Sequence, residues 1–217
     1  MAIAFVRQAT GTANVATTAV VTITAAVAGN CLVAVIEGNN AAVTGIAGGG
    51  VTWVLLKAGP ASGNFAEIWY GLNSSGSGTS VTVTYASAVT GAVNVSEFSG
   101  IKTSGAADSV TNSGGGPSAS PSSGAVTPTA APALVLAMVA GTTALTSGPT
   151  GGFTALTQAI QGANRANGAY LIQTTPASAT ATWTYGGSGN WDTAIGVLLG
   201  VPDASVRAFF IGGGFFP

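Results

Sequence analysis

Ser80-Val81-Thr82-Val83-Thr84-Tyr85 decides the class of fold. Successive side chains of a strand point to opposite faces, so Val81, Val83 and Tyr85 share one face and the hydroxyls share the other. β-branched and aromatic residues suit such a half-buried strand, and the flanking Gly, Ser and Asn suit turns. Working outward, the same period-two pattern predicts strands at 19–26, 31–38, 51–57, 65–72, 80–86 and 91–98. It predicts six more at 125–130, 133–140, 152–158, 168–174, 178–185 and 192–200. No window offers apolar residues at i, i+3, i+4 and i+7 with helix formers between them, so the chain is expected to be all-β.

The deciding stretch has a counterpart. Ser178-Ala179-Thr180-Ala181-Thr182-Trp183 repeats it 98 residues later. Val21-Thr22-Ile23-Thr24-Ala25-Ala26 returns as Val126-Thr127-Pro128-Thr129-Ala130-Ala131, and Gly49-Gly50-Val51-Thr52 as Gly151-Gly152-Phe153-Thr154. Leu32-Val33 with Gly38 is answered by Leu134-Val135 with Gly141, and Gly100 by Gly200. Ala66-Glu67-Ile68-Trp69 aligns with Ala169-Tyr170-Leu171-Ile172. Matched blocks in the same order indicate a duplication, with repeat one at 19–100 and repeat two at 125–200. Residues 101–124, rich in Gly, Ser and Pro, are expected to be a linker, either an exposed contact loop or a passive crossover.

Each repeat is small for an independent core. The expected architecture is therefore a single fused jelly-roll-like β-sandwich over 1–204, with two pseudo-symmetric halves sharing one core. Pro128 cannot donate to a ladder, which places its strand at an edge.

Composition narrows function. Charged residues make up 5% of the 217-residue chain, against roughly 25% in ordinary soluble domains. Five basic residues (Arg7, Lys57, Lys102, Arg165, Arg207) and six acids are scattered, so no cluster exists to neutralise nucleic-acid phosphates. No apolar run approaches the ~20 residues of a membrane helix. The amino terminus lacks the pattern of a secretory signal. Asn73-Ser74-Ser75 and Asn94-Val95-Ser96 match the glycosylation sequon, which carries no consequence in a chain without such a signal. Histidine is absent and Cys31 is alone, so neither a Cys/His metal site nor an internal disulfide is expected, and no cofactor.

Few catalytic reagents remain. Glu37, Glu67 and Glu97 could in principle pair for glycoside hydrolysis, but their counterparts in repeat two are apolar or aromatic. Solvent-facing strand ends explain them better. Gly186-Gly187-Ser188-Gly189-Asn190 superficially resembles a phosphate loop, yet strand continues behind it where a helix is needed, so it reads as a hairpin turn. Trp183, Tyr185 and Trp191, with Trp69 and Tyr70, could stack on sugar rings, or could fill a core. The chain is expected not to be an enzyme.

Residues 205–217 form a hydrophobic arm beyond repeat two. Half of the eight phenylalanines flank or lie near its triple glycine: Phe209, Phe210, Phe215 and Phe216, with Ile211. Such an arm must dock, on its own sandwich or on a neighbour, and its apolar residues are the expected subunit interface.

The start MAIAFVRQATGT, the Thr/Ala/Gly-rich strands, the AEIWYGLN and GSGNWDTAIGVLLG blocks and the duplication resemble small all-β virion proteins of tailed bacteriophages. That resemblance implies a capsid decoration or cement protein, made in the host cytoplasm and located in the virion. Its partners would be copies of itself and a major capsid or other virion protein, with no nucleic acid or membrane. The alternatives are a carbohydrate-binding or adhesive module of tail or fibre type, a lipid-facing barrel, and a sandwich-fold glycosidase.

Overall fold

The structure is a computed structural model and describes residues 1–61 and 63–202. The first half supplies β1 (Ala4–Thr22), β2 (Cys31–Asn39), β3 (Val43–Gly48), β4 (Thr52–Ala58), β5 (Asn64–Leu72) and β6 (Ser80–Ser99). The second supplies β7 (Ala107–Ser118), β8 (Ala133–Gly141), β9 (Leu145–Ser147), β10 (Thr154–Ala155), β11 (Ala159–Gln161), β12 (Asn164–Gln173), β13 (Thr184–Tyr185) and β14 (Gly189–Leu199). The chain is all-β and its sheets are antiparallel, as the period-two pattern requires.

One sheet runs β1-β6-β2-β5-β4, the other β7-β14-β8-β12-β10, with β3 on β6 and β11 on β12. Strand order is the same in both when β1 is set against β7, β6 against β14, β2 against β8, β5 against β12 and β4 against β10. The outer pairings agree too: Val21 faces Val81, and Val126 bridges to Ala179. Register corrects two of the sequence alignments. Leu32 belongs to an outer core and Leu134 to the seam, so Leu32-Val33 corresponds to Val135-Leu136 rather than to Leu134-Val135. Glu37 pairs with Ala66, and Ala140 with Ala166, so Ala66 corresponds to Ala166 rather than to Ala169. Ala169 points to the opposite face of its sheet from Ala166, and the two alanines belong to different cores.

The sheets face each other, with β5 against β14 and β8, and β12 against β6 and β2. Each is drawn from one contiguous half of the chain, so the halves stack instead of interleaving as in a jelly roll. Between them lies a seam of Val33, Val35, Ile68, Phe98, Leu134, Leu136, Met138 and Leu198. The outer face of each sheet is buried as well. Leu32, Ala34, Ile36, Val93 and Val95 are covered by Val81, Val83 and Tyr85, and Val135, Ala137 and Val139 by Val126, Ala181, Trp183 and Tyr185. A central core is therefore flanked by a core within each half, where the sequence suggested one shared core. This explains why β2 and β8 read as unbroken apolar runs: both of their faces are covered.

Three boundaries differ from expectation. β6 is one 20-residue strand where the sequence suggests two, and it pairs along nearly all of β1, whose first half the sequence pattern does not show. Irregular register between Asn14 and Thr18, with Val15 at φ 51°, bends this ladder from the central sheet into the outer layer. Second, the expected linker contains β7, an edge strand paired with β14. A Cβ on Gly114 would fall 2.7 Å from the Ser122 carbonyl oxygen, and Thr193 Oγ1 accepts from the Gly114 amide at 2.9 Å. Glycine here permits close backbone approach instead of marking a loop. Third, the expected strand around Pro128 is reduced to the Val126–Ala179 bridge.

Candidate functional site

The three glutamates are not solvent-facing strand ends; each is buried and structural. Glu97 on β6 accepts from Arg7 Nε at 2.7 Å, the Val27 amide at 2.8 Å and Asn30 Nδ2 at 2.6 Å, clamping β1 and the turn before β2. Glu67 on β5 accepts from the Val43 amide at 2.8 Å and Trp69 Nε1 at 2.7 Å. Burial raises its pKa and these two donors only partly offset that. Glu37 alternates along β2 with the seam residues Val33 and Val35, is fully buried, and neither carboxyl oxygen has a hydrogen-bond partner. Desolvation pushes it up to about 8, a rise the nearby Ala92 amide only partly opposes.

Around Glu37 the seam changes character. Its ladder neighbours are Ala66 and Ala92, and Ala140, Ala166 and Ala194 line the same core. Asp192, fully buried on β14, alternates with the seam residues Ala194 and Leu198. A Cβ built on Gly59 would meet both Asp192 Cβ, at 3.2 Å, and Ala66 Cβ, at 3.4 Å. Glu37 of one half and Asp192 of the other thus both lie close to Ala66. Burial raises the phenol pKa of Tyr185, Arg165 pulls it down, and Asp192 and Glu37 add smaller upward contributions.

Polar contacts across the seam lie nearby. Asn64 Nδ2 donates to the Asn190 carbonyl at 3.2 Å, and Asn94 Nδ2 to the Thr157 carbonyl at 2.9 Å. Gln8 accepts from the Thr157 amide at 2.9 Å while its amide donates to Thr157 Oγ1 at 2.7 Å. Asn94, half of an apparent sequon, is therefore an internal fastener.

The proposed sugar platform is not at the surface. Trp183, Tyr185 and Trp191 are 2%, 3% and 8% exposed and pack in the outer core of the second half. Trp191 Nε1 donates to Ser118 Oγ at 3.0 Å, fastening β14 to its edge neighbour β7. Rings buried to this extent offer no face to a glycan. Trp69 and Tyr70 are half-buried, and Tyr70 packs against the seam. Residues 186–188 join β13, which pairs with β9, to β14, which takes in Gly189 and Asn190 and pairs with β7 and β8. They are a crossing between layers, not a hairpin turn, and strand does continue behind them.

Cys31 is buried and burial pushes its thiol up to about 12, so thiolate is negligible at neutral pH. A thiol reagent such as DTNB should leave the folded chain unmodified for hours at pH 7.5 and label one thiol per chain after unfolding in guanidinium. Rapid labelling of the native chain would show that β2 opens readily.

Among the described residues no group of three or more His, Cys, Asp or Glu is placed to hold a metal ion. No helix among them is long and apolar enough to cross a membrane. Phe209, Phe210, Ile211, Phe215 and Phe216 lie outside the described residues. No protein-family model matches the chain, and neither a curated protein nor a solved structure matches it.

Proposed function

We propose that the chain is a structural virion subunit, a capsid decoration or cement protein that binds copies of itself and a shell protein. The observation that carries this reading is where the exposed apolar side chains sit. Val6, Val15 and Val20 lie on β1, and Val54 and Leu55 on β4, the two edge strands of the first sheet. Natural edges are usually blunted with charge, and a chain with 5% charged residues has little to spend there. Edges of this kind suit lasting contact with neighbours in an assembly.

Two further features support it. The acids and indoles singled out in the sequence are turned inward, where Glu97, Glu67 and Trp191 fasten strands. A groove of about 260 Å³ is lined by Met1, Ile3, Pro132, Ile172 and Val201, the last of these next to the final described residue of the chain. An arm with four phenylalanines has matching chemistry for such a groove on a neighbouring copy. Each buried Phe contributes ~1.5–3 kcal/mol, reduced by the entropy of ordering a glycine-rich segment.

Mass photometry of the full chain and of a chain truncated after Val206 tests this. The full chain should form a discrete oligomer, and the truncated chain should stay folded by circular dichroism while dissociating. A monomeric full chain at micromolar concentration would count against the reading. So would a truncated chain that melts many degrees lower yet assembles normally, which would assign the arm to its own core. The adhesive-module alternative predicts glycan-array binding lost on replacing Trp183 or Trp191; their burial argues against it.

A further inference from the structure

We propose that the seam between the two sheets is a pH-sensitive joint, with Glu37 as its titrating group. The argument begins with placement. Glu37 stands on β2 in the layer where the halves meet, fully buried, with both oxygens unpartnered. An ionised carboxylate in such a place is costly, and the group keeps its proton instead.

The groups around it offer no compensating charge. From β5 comes Ala66, with Glu67 on the opposite face bound to Val43 and Trp69. From β6 come Ala92 and, in the outer layer, Tyr85, whose hydroxyl donates weakly to the Glu37 carbonyl at 3.5 Å. β8 presents Met138 and Ala140. β14 presents Asp192, itself partnered. Arg165 at the start of β12 acts on Tyr185, and its guanidinium donates to the carbonyls of Thr142 and Ala163. The Arg7–Glu97 salt bridge lies elsewhere in the fold. Ionising Glu37 therefore places a negative charge in the buried layer where the two halves meet. The cost of keeping that charge out of water then acts to part the sheets.

The direction of the pH effect follows. Burial in the seam pushes Glu37 up from its ordinary value near 4.5 to about 8. Between those values the folded chain holds a proton that the unfolded chain releases, so stability is full below the lower value and lost as pH rises through the upper one. The folding equilibrium constant should fall by about three orders of magnitude across that span from this group alone. Glu67, also raised, acts in the same direction with a smaller share because two donors bind it.

Thermal melts of the full chain from pH 5 to 9.5 at constant ionic strength, with Glu37→Gln and Glu67→Gln, test the proposal. The wild-type melting temperature should fall from pH 5 to about pH 8 and level off above that. Glu37→Gln should flatten most of that slope and stand above wild type at pH 9, while Glu67→Gln should keep most of it. A slope unchanged in Glu37→Gln would overturn the assignment. So would a rise in wild-type melting temperature at pH 9 on adding calcium chloride that Glu37→Gln abolishes, since the carboxylate would then be a cation ligand. Should Glu37→Gln fail to fold, infrared spectroscopy of the wild type decides. The carbonyl stretch of a protonated carboxylic acid must be present at pH 7, fall to about half near pH 8 and be gone by about pH 9.5; its absence at pH 7 overturns the proposal.

Discussion

Replacing Phe98 with alanine should lower the unfolding free energy by about 3–5 kcal/mol, the range for a large aromatic removed from a packed core. Phe98 is fully buried at the end of β6 and belongs to the seam. Its ring meets Tyr170 of the other half edge-on at 5.3 Å and Phe5 edge-on at 5.7 Å, while Phe5 and Tyr170 stack at 5.6 Å. Deletion leaves a cavity between halves and removes two aromatic contacts of ~0.5–1.5 kcal/mol each beyond burial. The surrounding strands are held by ladders on both sides, so the gap cannot collapse freely. Urea unfolding followed by tryptophan fluorescence measures the loss, and Phe98→Leu should recover a good part of it. A loss below about 1 kcal/mol would mean that the seam repacks and is not a close-fitting core.

Glu97→Ala is the second large effect, expected at about 2–5 kcal/mol. The ion pair with Arg7 is not its main source: the Arg7 side chain is 35% exposed, so its charge stays hydrated and the pair contributes little. The cost comes from the Val27 amide and Asn30 Nδ2, two donors that lose their acceptor in a part-buried site, at about 1–3 kcal/mol each. Glu97→Gln, which keeps an acceptor oxygen, should restore about half of the loss. High salt separates the two accounts. If 0.5 M sodium chloride weakens the wild type to the level of Glu97→Ala, the ion pair carried the effect and the orphaned-donor argument fails.

What the sequence shows and hides has physical reasons. Strands covered on one face announce themselves by alternation, and Ser80–Tyr85 does so because hydroxyls face out while Val81, Val83 and Tyr85 cover a core. β2 and β8 were legible as apolar runs, though not as walls between two cores. The first half of β1 was hidden because Arg7, Gln8 and Asn14 interrupt the alternation; Arg7 and Gln8 are held by Glu97 and Thr157. β7 was hidden by its glycines, which serve close approach to Ser122 and Thr193. The role of the acids was misread because charge in a strand ordinarily signals solvent. Nothing in one sequence tells that Glu97 has three donors waiting while Glu37 has only the Ala92 amide nearby. Trp183, Tyr185 and Trp191 were readable as a shared cluster, and only the outer layer over their sheet shows which side of them is wet.

The central claim is that the chain is a structural component of a virus particle, held there through edge strands and arm. Quantitative mass spectrometry of density-banded particles released by lysis of the source host tests it most directly. The account predicts many copies per particle at a fixed ratio to the major shell protein, retained through banding. A chain found only in the soluble lysate, absent from banded particles, would contradict it.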